Sequence, residues 1–582
     1  MNVTLEAIKF NHVPDSATVD AFNIRRNETE PVHVPEWRKG ISVKPEDSPA
    51  AYAISETRGN TLTIKAKFKA TGPGSPKVQV RAVEAREQHR QSLGCGPIGF
   101  VLRAFSTAQT APVGNVLGVV RQEKITFNAA GETDFVTFKL SGVRLWSVGV
   151  SASTTNWRWQ FRAKRSDRWT DFAVTSHRIY TVLEVPKEPW EQMPADETQL
   201  PWADALEYAC DWGTGAHDLD EAATLVTHSV NDLGLSLVSY SGSSIYACPN
   251  FDCGKFLDLL QNGTGLGRAL NCSDCATIVS SFANLLGCDL SQSLIGTVFK
   301  TNPIKKIGSQ LRATTTFVGH EVAWKGDATP DDQVFDACVQ VDGDPDPFKD
   351  PFHPLLATNL RFGKASEQGY RFRLSPPPPE NGPDPCTPMA NSKQRRPIGK
   401  SIPGTCDGFD AILLDFARQH YKFETWSDSD PVWQSLSIPN PSAEKKLFSG
   451  WELVSPPQHP KIINVLEVTQ AVWRSLEKDT EALIRLDLFR CQTWSEARLF
   501  ALQRLARFQE LNVQRLVTPA LGDIAFVESG EVSVLFVRSE HVIMMRSVGR
   551  VRFPVTEIAF MIDNHFLQSA TTQNLSAKDQ KR

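Results

Sequence analysis

The sequence predicts a multidomain α+β protein, with an N-terminal β-sandwich, a central α+β domain and a small C-terminal α+β module. Three observations lead there. A chain of 582 residues is too long for one hydrophobic core and divides into several. Its first third alternates apolar and polar residues with period two, as half-buried strands do. From about residue 200 the spacing turns helical, and alternating runs return after residue 310.

The β-sandwich is assigned to 1–195. "TLTIKAKFKA", "GETDFVTFKL" and "NWRWQFRAK" alternate between turns rich in Gly, Pro, Asn and Ser. Trp157, Trp159 and Phe161 share one strand face there, as residues packing between sheets do. The central domain is assigned to 200–370. "PWADALEYACDWG" and "DLDEAATLVTHSVNDLG" have helical spacing, the second with Asp218 or Asp220 as N-cap and Gly234 as stop. "CGKFLDLLQNG" is another short helix, and "RATTTFVGHEVAW" and "QVFDACVQVD" alternate as strands. Residues 375–404, "SPPPPENGPDPCTPMANSKQRRPIGKSIPG", read as an extended, mobile linker. A mixed α/β accessory region follows at 405–575. It carries a helix at "WSEARLFALQRLARFQE", strands at "GDIAFVES", "VSVLFV" and "HVIMMRSVG", and a final helix at "VTEIAFMIDNHFL".

Composition narrows the function classes. A net charge of −4 and a pI near 6.3 supply no basic field to draw nucleic acid or anionic lipid. No apolar run approaches the length of about 18 residues that a bilayer span needs. The opening "MNVTLEAIKFNHVPDS" lacks a basic stretch followed by an apolar one, so no secretory signal is visible and a cytoplasmic location is expected. The eleven cysteines are odd in number and unevenly spread, which suits a reducing compartment better than a disulfide framework.

Four of those cysteines allow competing chemistries. Cys248 and Cys253, then Cys272 and Cys275, are spaced much like a zinc ribbon. Yet "CATIVSSFANLLG" after the second pair is helical, with Ala276, Val279, Phe282, Ala283 and Leu286 on one apolar stripe. A thiol at a helix start sits among unpaired N–H groups at the positive end of the macrodipole, which favours thiolate. That geometry serves a redox dithiol or a catalytic nucleophile. A base and an orienting group decide for catalysis, and both lie downstream. His320 opens an alternating strand, and Asp336 lies on the next one, sharing a face with Val334 and Cys338. Adjacent strands can set Asp336 beside His320, with the imidazole turned to a thiol on the helix.

With these motifs the sequence resembles the transglutaminase-like superfamily of papain-like thiol enzymes. "Cys272-Ser-Asp274-Cys275-Ala276" matches the family's helix start, with an acidic residue two after the nucleophile and a small one four after. "NLLG" matches its Leu-Gly near the helix end, and the sixteen residues from His320 to Asp336 match its His-to-Asp separation. Trp324 lies four after the His where the family has Trp two after, and "FDACVQ" stands in place of Asp-Pro-Thr. The resemblance covers about 210–345. It implies a papain-like fold and a bacterial thiol enzyme acting on protein or peptide amides without a cofactor. It also implies Cys272 as nucleophile, His320 as base then acid, and Asp336 as orienter. Secondary candidates are Cys275 for the nucleophile, Asp342 for the orienter, and Asp274 and Trp324 beside them. Hydrolysis is expected ahead of cross-linking, because no calcium site is evident in the acidic run "DGDPDP". A non-catalytic scaffold and a four-cysteine zinc module are the alternatives from other classes.

Overall fold

The structure is a computed structural model. It describes residues 1–10, 20–42, 44–57, 62–74, 76–85, 115–192, 196–237, 244–263, 265–389, 391–401, 410–426, 450–454, 457–462, 465–477, 481–508, 511, 513–518, 520–528 and 530–579. The chain is multidomain α+β with several sheets. It divides into two compact units, Met1–Val226 with Phe282–Asp289, and Thr227–Ser281 with Leu290–Arg582. Among the described residues no helix is long and apolar enough to cross a membrane.

In the first unit nine strands form one sheet. Across it run Trp37–Arg38, Asn2–Lys9, Thr63–Thr71, Val136–Ser141, Val119–Thr126, Lys77–Glu84, Ser151–Arg162, Thr170–Val182 and Ala50–Ala53. Alternation sets its faces: Ile64, Ala66 and Phe68 point inward, while Lys65 and Lys67 are partly exposed. Phe68 meets Trp159 edge-on at 5.8 Å, although three strands separate theirs in the sheet. The sheet therefore curls over, and its two halves pack as a sandwich would. Trp157 and Trp159, fully buried, fill the middle.

His177 lies in that core between Phe10 and Trp157, with its Nε2 2.9 Å from the Thr175 hydroxyl. Burial holds its pKa down at about 3. The unfolded chain, titrating near 6.5, binds this proton first, so stability is full above about pH 6.5 and falls as pH drops toward 3. Denaturant unfolding of the native protein at pH 4.5 is expected to show about 2–3 kcal/mol less stability from this group than at pH 7. His177→Gln is expected to flatten that slope; equal slopes in the two proteins would show that His177 is not its source.

The second unit holds two larger sheets. In the first, Ser291–Ile295, His320–Lys325, Gln333–Asp342, Ile304–Lys306 and Arg312–Ala313 lie in that order, and Pro354–Arg361 pairs along the Gln333–Asp342 strand. The second is seven-stranded and antiparallel, with Leu483–Arg490 and His541–Ser547 at its centre. The helix Trp494–Leu505, opened by a capping box at Thr493, covers one face. The helix Thr556–Asp579 packs Ala559, Ile562 and Phe566 against the other, with Val555 just before it in the same cluster. Burial on both faces explains why "VSVLFV" and "HVIMM" are nearly continuous apolar runs. It also explains why Glu467–Ser475, a full-length strand here, shows no clean alternation in the sequence.

The Pro-rich stretch at 375–404 is not a free connector over 384–401. Gln292 and Gln394 exchange backbone hydrogen bonds of 2.8 and 2.9 Å, and Met389 N–H donates to the Leu294 carbonyl at 2.9 Å. Phe251 N–H donates to Pro397 O at 2.8 Å, and Gly399 N–H returns to Phe251 O at 3.0 Å. Prolines donate nothing to a ladder, but the residues between them do. The segment is thus a strap along the outer edge of the Ser291–Ile295 strand, where it satisfies an otherwise open sheet edge.

Candidate functional site

The helix Cys272–Leu285 begins where the sequence places it. Asn271 caps it, its side chain accepting from Asp274 N–H at 3.0 Å while the Asp274 carboxylate accepts from Asn271 N–H at 3.1 Å. Cys272 is therefore the first helical residue. Asp274 does more than close the cap. Its carboxylate also accepts from the N–H groups of Ile245, Tyr246 and Ala247 at 2.7–3.0 Å and from the Ser244 hydroxyl at 2.5 Å. Burial pushes this carboxyl up, against the pull of those hydrogen bonds. Asp274 thus anchors 244–247 to the helix start.

The strands His320–Lys325 and Gln333–Asp342 are antiparallel neighbours, with Ala323 opposite Phe335. His320 Nε2 lies 2.8 Å from Asp336 Oδ2, and both residues are buried. Phe317 stacks on the imidazole at 5.1 Å and 16°. The Tyr370 hydroxyl donates to the same Asp336 oxygen at 2.5 Å. Pairing with Pro354–Arg361 slips between Asp336 and Gln340, a bulge that turns the chain within the strand. Two N–H groups of the bulge, those of Cys338 and Val339, donate to Asp336 Oδ1 at 2.7 and 3.4 Å. The carboxylate that bonds the imidazole is itself held on both oxygens.

Cys272 is 4% exposed, and the backbone N–H of Glu321, the residue after His320, donates to its sulfur. Burial pushes the thiol well up, and Cys338, Glu321 and Asp336 add to the shift. Burial is the largest influence on this thiol, and it acts against the helix-end field expected to favour thiolate. Cys275, one turn further on, bonds through its thiol to Cys338 and is also pushed up by burial. It belongs to the contact between helix and sheet.

Other candidates lie elsewhere. Trp324 is fully buried, donates to Ser293 O at 3.2 Å and packs on Phe362, as a core residue does. Asp342, the alternative orienter, is 1% exposed and ties off the 343–352 loop by accepting from Asp344 and His353 N–H at 3.1 and 3.2 Å. Asp342, Asp344 and His353 bring ligand atoms within 4.8 Å of one another, and they are the only such group among the described residues. The four-cysteine zinc alternative does not assemble. Cys248 is disulfide-bonded and has no thiolate to offer, whereas Cys253, Cys272 and Cys275 are not in disulfides. That disulfide stands against the reducing compartment expected from the cysteine count. Cys95 and Cys406 lie outside the described residues.

Sequence reasoning missed three contributors. Tyr370 sits 34 residues beyond Asp336 with no motif around it. Glu321, within "GHEVAW", is a buried carboxylate kept below the usual range by Arg396 despite its burial. Arg396, in the strap, pairs with both Glu321 oxygens at 2.8 and 2.9 Å. A glutamate inside an otherwise apolar strand was the signal available, since it needs a buried cation.

No protein-family model matches the chain, and no curated protein does. Among solved structures, the crystal structure of red sea bream transglutaminase is similar at 8% identity, with a TM-score of 0.25, over 84% of this chain and 75% of that one.

Proposed function

We propose that the protein is a thiol-dependent acyl-transfer enzyme acting on protein or peptide amides, with water as the usual acceptor. The observation that supports this reading is the buried His320–Asp336 hydrogen bond, with Tyr370 on the same carboxylate and Asp336 and the Glu321 N–H both acting on the Cys272 sulfur. Asp336 engages Nε2 of the imidazole, so Nδ1 is the nitrogen that exchanges a proton with the thiol. His320 takes the Cys272 proton as sulfur attacks the amide carbonyl, then gives it to the leaving nitrogen as the C–N bond breaks. The thioester left on Cys272 is cleaved by water, whose proton His320 accepts and returns to the sulfur. A lysine amine in place of water would give a cross-link.

The test is selective chemistry at one thiol. Iodoacetamide at neutral pH is expected to alkylate Cys272 well ahead of Cys210, Cys275 and Cys338, as read by peptide mass spectrometry, and glutamine-containing peptides are expected to release ammonia. Equally slow labelling at all cysteines, without turnover of any peptide amide, would refute the proposal.

A further inference from the structure

We infer that Arg396, on the Pro-rich strap, is a positioning residue for the thiol site: its guanidinium cancels the Glu321 charge beside Cys272 and locks the His320 strand to the nucleophile helix. The inference rests on the thiol-enzyme reading above and adds a role for a segment outside the helix and the two strands of the site.

The contacts converge from four directions. Arg396 Nη1 is 2.8 Å from Glu321 Oε1 and donates to the Thr277 hydroxyl, in the second turn of the Cys272 helix, at 2.8 Å. Nη2 donates to Glu321 Oε2 at 2.9 Å, a two-pronged pairing that lysine cannot reproduce. Glu321 also accepts from the Ser273 hydroxyl and from Gln394 on the strap. Through its own N–H it touches the Cys272 sulfur. Arg396 and Glu321 side chains are 5% and 4% exposed, so water screens neither charge.

Charge balance then decides how readily the sulfur ionises. Acting on Cys272 are Glu321 on one strand and Asp336 and Cys338 on the next, with Cys275 one turn along its own helix. Tyr370 stands behind Asp336, and Arg396 behind Glu321. Asp336 is matched by the imidazole when that carries the thiol proton. Glu321 has Arg396 as its partner. Without it, an unscreened carboxylate one residue from the base would oppose the thiolate that attack requires.

The experiment follows the rate of Cys272 alkylation by iodoacetamide against pH in the full-length protein. Arg396→Gln is expected to move the midpoint upward by about one unit, a roughly tenfold slower reaction at pH 7. Glu321→Gln is expected to move it downward, and the double variant to return it near the wild-type value. Arg396→Lys should fall between wild type and Arg396→Gln. If Arg396→Gln does not fold, the downward shift in Glu321→Gln still carries the test. Shifts in the same direction, or no shift in Glu321→Gln, would overturn the inference while leaving a reactive wild-type Cys272 intact. A wild-type Cys272 no faster than Cys275 would instead overturn the thiol-enzyme reading itself.

Discussion

On the proposed mechanism, His320→Ala is expected to lower peptide-amide turnover by about 10⁴-fold or more, because it would remove the group that takes and returns the proton. The buried Cys272 thiol makes the dependence steep. Burial pushes its pKa up, so attack depends the more on a base that takes the thiol proton. Asp336→Asn keeps the size and loses the charge that stabilises the imidazolium, and is expected to cost about 10⁴-fold in turnover. Tyr370→Phe removes one neutral donor to Asp336 and should cost far less. Single-turnover kinetics with an activated ester separate these effects from binding. With an ester whose leaving group needs no proton, acylation of Cys272 in Asp336→Asn should show a much smaller deficit than with the amide. A His320→Ala protein that keeps wild-type turnover would remove His320 from the mechanism.

These substitutions also show what the sequence could and could not reveal. The His320–Asp336 pair was legible because a period-two strand fixes which residues share a face, and two adjacent strands offer few registers. The start of the Cys272 helix was legible from its apolar stripe. What turns Asp336 to its partners, the bulge after it, was not, because extra residues within a continuous apolar strand leave no mark on local composition. Arg396 was hidden for a different reason. Its segment has the Pro-rich composition of a linker, and only the edge of the Ser291–Ile295 strand makes it a strap. Composition likewise could not distinguish a disulfide-bonded Cys248 from a metal ligand, since both need only a second sulfur brought near in space. In the N-terminal unit the alternation announced the strands. That nine of them curl as one sheet follows from long-range pairings no local pattern encodes.

Asp274 is where sequence resemblance and geometry assign different work, and Asp274→Ala separates them. By motif it is the acidic residue two after the nucleophile; in the structure its carboxylate points back to 244–247 and the helix cap. Removing it orphans the N–H groups of Ile245, Tyr246 and Asn271 and the Ser244 hydroxyl in a buried setting. At about 1–3 kcal/mol for each unsatisfied buried group, partly relieved by local rearrangement, the expected loss of stability is about 3–5 kcal/mol. Ala247 N–H keeps a partner, the Ser244 oxygen at 3.1 Å, so the anchored turn loosens instead of vanishing. Denaturant melts of Asp274→Ala should therefore show a lower midpoint, and buried Cys275 should become alkylatable together with Cys272. Asp274→Asn, which keeps one acceptor oxygen but sets an amide NH₂ against the same donors, should lose a similar or slightly smaller amount. A variant with wild-type stability and no turnover would assign the carboxylate to the reaction. Lost stability with turnover falling only in proportion to the folded fraction would assign it to the scaffold that sets Cys272 at the first turn.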